Sequence, residues 1–307
     1  MSSSASALEE VTIQFSDDNI WVMNLCLAII MFSVALSINS DDFREIFRNP
    51  KAVISGLFSQ YLLFPLITFL LVLFMRPEMG LALGMILIAA CPGGNISNFF
   101  SLQSRGNVAL SVSLTVMATL LAPIMTPLNF EFWASRVDYV QPLFETIFID
   151  YYDLALTVLT IMVVPLVLGM FLANRFPRTA EKIFKPLQVL SVLILLAFIV
   201  VAFTGNIEVF LEYWEYFVSL VFIHNAIALF AGFIFARLTG NTFADSKTIS
   251  IETGIQNGGL GLVIVFAFFG GTGGMVLLVA WWGIWDIISG LIIAQIYRRW
   301  QLAGMNT

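Results

Sequence analysis

The chain has 307 residues, of which 59% are hydrophobic and only 11% are charged. Soluble domains carry about 25% charged residues, so this composition excludes an ordinary soluble domain and predicts an all-α polytopic membrane protein. The formal net charge of -6 indicates nothing about partners until the charges are assigned to the two sides of the membrane. Two cysteines, Cys26 and Cys91, lie in apolar segments and indicate no disulfide framework.

The N-terminal segment, residues 1–19, is polar and acidic and contains neither Lys nor Arg. It therefore lacks the basic region with which a signal peptide begins, and we expect the first apolar segment to remain as a span. Each apolar segment is near or above the roughly 20 residues that cross a bilayer. Residues 20–307 thus form one predicted transmembrane domain with short connections. In chain order, the nine predicted spans are 20–38, 52–75, 79–104, 108–130, 146–173, 184–204, 214–237, 248–269 and 275–300.

The distribution of positive charge tests this count. With an outer N-terminus, only Arg76 and Arg136 fall outside, and the other twelve of the 14 Lys and Arg residues face the cytoplasm. This asymmetry fits the positive-inside rule, and it predicts a cytoplasmic C-terminus. The cytoplasmic set is Arg44, Arg48, Lys51, Arg105, Arg175, Arg178, Lys182, Lys185, Arg237, Lys247, Arg298 and Arg299.

Two predicted spans are interrupted by polar residues and glycines. The third contains C-P-G-G-N-I-S-N at Cys91–Asn98, and the eighth contains E-T-G-I-Q-N-G-G at Glu252–Gly259. A charged side chain at the bilayer centre costs roughly 2.5–3.5 kcal/mol on insertion scales, so such a stretch is tolerated most readily where it binds something. Two broken helices in matching halves of a chain indicate the binding site of a secondary transporter.

The positions of these breaks predict an inverted repeat. Spans 1–4 and 6–9 form two four-helix halves that start on opposite sides of the membrane, and span 5 joins them. The broken span is the third in each half. We therefore expect two discontinuous helices that cross near the middle of the membrane.

The polar residues around the breaks are oxygen donors. Ser97 and Asn98 follow the first break, and Glu252 begins the second. In span 4, Ser111 and Thr115 are four residues apart and share one helix face. Hydroxyl, amide and carboxylate oxygens suit a hard cation such as Na+. A single Ser or Thr usually bonds to its own helix backbone, but the convergence of the whole set on two breaks favours cation binding.

These motifs, in this order, resemble the bile acid:sodium symporter family, and the resemblance covers nearly the whole chain. The motifs of the third and eighth spans together are specific, whereas either alone is only moderately so. The matching features are C-P-G-G-N-I-S-N at Cys91–Asn98, R-G-N-V-A-L-S-V at Arg105–Val112, I-E-T-G-I-Q-N-G-G at Ile251–Gly259, Gln60 with Pro65, His224 with Asn225, and Trp285 followed by Ile288–Gly290.

The resemblance implies two Na+ ions, bound where the broken helices cross, with Glu252 shared between them. The first site would use Ser97, Asn98, Ser111, Thr115 and Glu252. The second would use Gln60, Glu252, Thr253, Ile255 and Gln256, with Thr253 and Ile255 contributing main-chain carbonyls.

The resemblance also implies two groups of helices. A core domain would comprise the helices of about 52–130 and 214–300. A panel domain would comprise the helices of about 20–38, 146–173 and 184–204.

The chain departs from related bacterial transporters at positions that approach the substrate. Asn95 stands where they have Thr, and Asp286-Ile287 stands where they have His-Asn, while Asn257 is retained. We therefore expect Asn95, Asn257 and Asp286 to bind substrate. Asp286 has three open interpretations: an uncharged, hydrogen-bonded acid in the core, a substrate or proton site, or a residue in a watery cavity. His224 is interpreted as a packing and hydrogen-bonding residue of span 7.

The predicted function is a sodium-coupled secondary active transporter, a symporter that imports an organic anion or bile-acid-like amphipathic solute by alternating access. The expected partners are Na+, a small anionic solute and membrane lipid, without nucleic acid. The alternative is a membrane sensor or receptor that binds a ligand on the same fold without translocating it. An enzyme is not expected, because the sequence offers no plausible nucleophile–base or metal constellation.

Overall fold

The computed structural model describes residues 17–36, 38, 48–146, 150–204 and 207–304. These residues are predominantly helical and include no β-strand, which confirms the all-α prediction. Most of the predicted N-terminal segment, residues 1–16, lies outside the described residues, as does Arg44 of the predicted cytoplasmic set.

The helices follow the predicted apolar segments in order. A short 3₁₀ turn at Asp138–Val140 and a short helix at Gln141–Thr146 follow the helix of predicted span 4. The principal helices are α1 (Asp17–Ala35), α2 (Pro50–Met75), α3 (Met79–Ala90), α4 (Ser97–Gln103), α5 (Val108–Ala134), α6 (151–175), α7 (Pro177–Thr204), α8 (Ile207–Leu238), α9 (Phe243–Gly254), α10 (Gly258–Phe268) and α11 (Gly273–Gly304).

Within the described residues, five helices are long and apolar enough to cross a membrane, namely α2, α5, α6, α8 and α11. Predicted spans 3 and 8 are each divided into two shorter helices, α3 with α4 and α9 with α10. The divisions fall at the polar, glycine-containing stretches, because proline and glycine there do not sustain a helical backbone.

Side-chain caps define several of the helix starts. The side-chain oxygens of Asn107, Thr242 and Asn257 each accept a hydrogen bond from a backbone N–H three residues further on. These bonds satisfy N–H groups that have no partner within the first helical turn. Asn257 therefore has a local structural role, since its side chain caps the start of α10 within the second break.

Helix packing surrounds the two breaks. Helix α3 is buried at every residue from Gly80 to Ala90, and it packs against α5 and α11. Helix α8 packs against α9 and α11, and α1 packs against α6 and α7. The broken helices therefore lie at the centre of the described interior. Helices α1, α6 and α7 pack against one another.

Helix α2 contains one π-helical turn, at Ser59–Leu63, immediately before Phe64-Pro65. Proline cannot donate a backbone hydrogen bond, and its ring collides with the carbonyl four residues earlier. A π turn widens the helix locally, and such turns occur frequently at functional sites. Ser59 and Gln60, the first two residues of this turn, are both buried and both bond to residues of the second break.

Candidate cation-binding site and adjoining cavity

The two helix breaks are joined directly through their backbones. The N–H of Gly94 donates to the carbonyl of Ile255 at 2.9 Å, and the N–H of Asn257 donates to the carbonyl of Pro92 at 3.0 Å. Gly93 and Gln256 form an isolated antiparallel bridge between these bonds. Backbone N–H and C=O groups that have no helical partner at one break therefore bond to such groups at the other break. This pairing is needed because an interior without water offers these groups no other partner.

Glycine is needed where the two breaks meet. A Cβ atom on Gly94 would lie 2.6 Å from the carbonyl oxygen of Gln256. A Cβ atom on Gly93 would lie 3.0 Å from the Oε2 of Glu252. The double glycine therefore allows the backbone and the carboxylate of the second break to approach the first.

The carboxylate of Glu252 is surrounded by hydroxyl groups. The Oγ atoms of Ser97 and Ser111 each donate to the Oε1 of Glu252 at 2.5 Å. The Oγ1 of Thr115 lies 3.3 Å from Oε1 and 3.2 Å from Oε2, and 3.4 Å from the Oδ1 of Asn98. The structure thus brings all five residues predicted for the first site into one cluster, which we call the Glu252 cluster.

The Glu252 cluster contains the ligand chemistry that a hard cation requires. Glu252 is only 4% exposed, and its side-chain hydrogen bonds in the described part of the chain come from hydroxyl groups. Burying a carboxylate costs several kcal/mol unless a cation or a proton compensates it. Hydroxyl, amide and carboxylate oxygens favour hard cations over transition metals. The described residues contain no group of three or more His, Cys, Asp or Glu side chains that could hold a metal.

The side chains predicted for the second site form a separate amide cluster. The Nε2 of Gln60 donates to the carbonyl of Cys91 at 2.8 Å and to the Oε1 of Gln256 at 2.9 Å. The Nε2 of Gln256 donates to the carbonyl of Thr253 at 2.7 Å. Because these oxygens already accept hydrogen bonds, a cation at this position would replace amide-to-carbonyl and amide-to-amide contacts.

Glu252 is associated with only one of the two clusters. Its side-chain hydrogen bonds, among those of the described residues, lie within the Glu252 cluster and not with Gln60 or Gln256. The carbonyl of Ile255, another predicted ligand, accepts the Gly94 N–H. The predicted second-site residues are therefore close together, but their hydrogen bonds connect them to each other and to the first break.

Two residues near the breaks were given no role by the sequence. The Oγ of Ser59 lies 2.7 Å from the Oγ1 of Thr253. The Nδ2 of Asn225 donates to the carbonyl of Gly254 at 2.8 Å. A proline six residues after Ser59, and an amide beside His224 in the middle of α8, are the signals that could have identified them.

The three residues predicted to bind substrate line one cavity beside the breaks. Asn95, Asn257 and Asp286 share this cavity, which has a volume of about 380 Å³. We call it the Asp286 cavity. Its remaining lining residues are Leu27, Ile30, Met31, Ser33, Val34, Gly94, Ile96, Phe99, Gln256, Gly258, Gly259, Gly283 and Ile287.

Asp286 is hydrogen-bonded and almost completely buried, with 2% exposure. Its Oδ2 accepts from the backbone N–H of Gln256 at 2.9 Å, and its Oδ1 accepts from the Nδ2 of Asn225 at 3.4 Å. The residue therefore supports the second break while it also contributes to the cavity wall.

His224 makes its side-chain contacts away from Asp286. Its Nε2 lies 2.6 Å from the Oγ1 of Thr68, which itself donates to the carbonyl of Phe64. The imidazole also packs between the rings of Phe64 and Trp282. These contacts agree with the packing and hydrogen-bonding interpretation.

Comparison with known proteins identifies relatives along most of the chain. The family described as "Sodium Bile acid symporter family" matches residues 24–213. An uncharacterized sodium-dependent transporter of Bacillus subtilis (strain 168) is 32% identical over 277 residues, which cover 90% of this chain and 83% of that protein.

Eukaryotic relatives match over similar lengths. A probable chloroplastic sodium/metabolite cotransporter of Arabidopsis thaliana is 31% identical over 276 residues, or 89% of this chain and 66% of that protein. A sodium-dependent organic anion transporter of Mus musculus is 30% identical over 280 residues, or 90% of this chain and 72% of that protein.

Proposed function

The chain belongs to the sodium bile acid symporter family, and we propose that it is a sodium-coupled symporter that imports an organic anion or a bile-acid-like amphipathic solute by alternating access. As a member of this family with several apolar helices, it is an integral membrane protein. The observation that carries the proposal is the buried carboxylate of Glu252, bonded to the hydroxyls of Ser97, Ser111 and Thr115 beside two paired helix breaks.

Na+ would act at these breaks as a removable counter-ion. Without a cation, ionised Glu252 is an uncompensated charge in a non-aqueous interior. A Na+ ion among the Glu252 cluster offsets this cost and holds α4, α5 and α9 together. A second ion would bind at Gln60, Gln256 and the carbonyls of Thr253 and Ile255. For Glu252 to serve both ions, its carboxylate would have to turn from the Glu252 cluster toward these groups.

The proposed transport movement uses two groups of helices within a nine-span inverted repeat. The panel domain would contain α1, α6 and α7, which pack against one another, and the core domain would contain the other principal helices. Rocking of the panel against the core would expose the Asp286 cavity to each side in turn. The N-terminus would lie outside and the C-terminus in the cytoplasm, with the protein in the cell membrane if it is bacterial.

The coupling supplies a substantial driving force. A tenfold Na+ gradient contributes about 1.4 kcal/mol for each ion. If two Na+ accompany one monoanion, the net positive charge contributes about 2.3 kcal/mol per 100 mV. The total of roughly 5 kcal/mol supports accumulation on the order of several thousandfold.

Glu252→Gln tests this function because it keeps the shape of the side chain and removes its charge. In detergent, Na+ at 100 times its Kd should stabilise the wild-type protein by about 2.7 kcal/mol relative to choline, and this difference should disappear in the variant. In liposomes, the variant should lose Na+-driven uptake. The control is Glu215→Gln, at an exposed residue of α8. Equal Na+ stabilisation of Glu252→Gln and wild type would contradict the assignment.

A further inference from the structure

We propose that the transported solute presents a protonated amino group to Asp286, so that the cavity selects small zwitterions with an apolar chain over plain organic monoanions. This inference rests on the proposed sodium-coupled transport at the same site, and it replaces the plain organic anion of that proposal with a zwitterion that carries an ammonium group beside its carboxylate. It is carried by the side chains that line the Asp286 cavity and by their hydrogen bonds.

The wall of the Asp286 cavity contains an acidic side chain and no basic one among its lining residues. Asp286 is the only ionisable residue among its lining residues, and no Lys, Arg or His is among them. When Asp286 is ionised, a plain monoanion would therefore meet a carboxylate without a compensating positive side chain among these lining residues. In a poorly hydrated site, repulsion between like charges is much stronger than in water. An ammonium group on the solute converts this repulsion into attraction.

Both carboxylate oxygens of Asp286 act as hydrogen-bond acceptors. Gln256 donates its backbone N–H to Oδ2, and Asn225 donates its Nδ2 to Oδ1. A carboxylate has about four lone-pair positions, so these two bonds leave it capacity for a further donor. Because Asp286 is 2% exposed, a donor from the solute would meet an acceptor that water scarcely reaches.

Two amides offer complementary donors for the acid group of the same solute. The Nδ2 of Asn95 donates to the sulfur of Met31 at 3.2 Å, and a thioether is a weak acceptor that a carboxylate can readily replace. Asn257 uses its Oδ1 to accept the N–H of Leu260, and this leaves its amide nitrogen as the donor end of the side chain. The cavity thus combines a carboxylate acceptor with amide donors.

The rest of the cavity suits a short apolar chain. Leu27, Ile30, Met31 and Val34 of α1 form an apolar wall, and Phe99 of α4 also lines the cavity. The volume of about 380 Å³ is near the lower end of the range for small-molecule pockets. A small apolar amino acid is therefore a better match in size and polarity than a large steroid conjugate.

The decisive experiment compares pairs of solutes that differ at one functional group. L-Leucine is paired with 4-methyl-2-oxopentanoate, and L-phenylalanine with phenylpyruvate, so that in each pair a keto oxygen replaces the protonated amino group. Binding to the purified full chain is measured by thermal shift in Na+, and uptake is measured in liposomes with an inward Na+ gradient. The amino member should bind wild type more than about tenfold more tightly, equivalent to about 1.4 kcal/mol.

Asp286→Asn should remove most of this preference, because it keeps an oxygen for Gln256 but loses the charge. Ser33→Ala, at an uncharged residue of the same cavity, should retain the preference. Equal or tighter binding of the keto acids by wild type would overturn the inference, and so would binding of neither member while Na+ still stabilises the protein. Loss of the Na+ response in wild type itself would instead contradict the proposed sodium coupling.

Discussion

Asp286 accepts a hydrogen bond from the backbone N–H of Gln256 at 2.9 Å. This bond links the wall of the Asp286 cavity to the second helix break. The side chain of Gln256 in turn bonds to Gln60 of α2. A displacement of Asp286 by a solute would therefore be transmitted through Gln256 to the predicted second Na+ site. Any resulting coupling is reciprocal, so Na+ and solute must increase each other's affinity by the same factor.

Thr115→Val should weaken Na+ binding with little change in side-chain volume. The hydroxyl of Thr115 lies 3.2 Å from the Oε2 of Glu252, and valine offers no oxygen there. We expect the Na+ concentration for half-maximal thermal stabilisation to rise about tenfold, equivalent to about 1.4 kcal/mol. Thr115→Ser should restore most of the affinity.

The matched control for Thr115 is Thr119→Val, one turn further along α5. Thr119 is buried, and its Oγ1 has no hydrogen-bond partner in the described structure. Replacing an unbonded hydroxyl with a methyl group should leave Na+ binding unchanged and should not reduce stability. A similar loss of Na+ affinity in both variants would show that Thr115 acts through packing alone.

Gln60→Leu should reduce both stability and the cooperativity of Na+ activation. The variant removes the donor to the Cys91 carbonyl and to the Oε1 of Gln256. Loss of buried hydrogen-bond partners should destabilise the protein by about 1–3 kcal/mol. If the amide cluster binds the second ion, the Hill coefficient for Na+-driven uptake should fall from near two toward one, about the value for a single site.

Gln141→Leu separates the loss of hydrogen bonds from the loss of an ion site. Gln141 also donates to two backbone carbonyls, those of Ala134 and Val137, but these lie at the C-terminal end of α5 and just after it. The Gln141→Leu variant should leave the Hill coefficient for Na+-driven uptake unchanged. An unchanged Hill coefficient in Gln60→Leu would remove the support for a second ion at the amide cluster.

Gly94→Ala should separate the two breaks. The added Cβ would lie 2.6 Å from the carbonyl oxygen of Gln256, which belongs to the backbone and cannot rotate away. We expect lower thermal stability and at least about tenfold weaker Na+ binding, equivalent to about 1.4 kcal/mol or more. Gly283→Ala is the control, because a Cβ there meets nothing within 4 Å and alanine favours the helix. Wild-type Na+ affinity in Gly94→Ala would contradict the need for this close contact.

Lys247→Met should destabilise the C-terminal end of α4. The Nζ of Lys247 is a buried donor to the carbonyls of Ser104 and Arg105, at 2.6 and 2.8 Å. Removing it should cost about 1–3 kcal/mol of stability, seen as a lower melting temperature in detergent. Lys51→Met provides the comparison, since Lys51 makes one exposed bond to the Gly240 carbonyl. A smaller effect at Lys247 than at Lys51 would contradict the importance of burial.

Some of the site followed directly from local sequence. The broken spans were recognisable because Glu252 and the proline–glycine stretch after Cys91 are incompatible with an uninterrupted apolar helix. The all-α class followed from composition, and the comparisons confirmed the family resemblance carried by the motifs. The π turn at Ser59–Leu63 was not predicted, although the proline that follows it supplies its physical cause.

The sequence by itself determined where the chain is apolar, where its helices break and which oxygen donors lie near the breaks. These are properties of neighbouring residues, so composition and spacing are sufficient to indicate them. The family resemblance placed Gln60 and Gln256 in one site, but only the tertiary structure decided that they bond directly to each other, 196 positions apart, and that Asp286 meets Asn225 and Gln256. In helices that are apolar on most faces, hydrophobic periodicity does not set the rotation of each helix about its axis. That rotation follows from packing between helices, which brings distant polar side chains together.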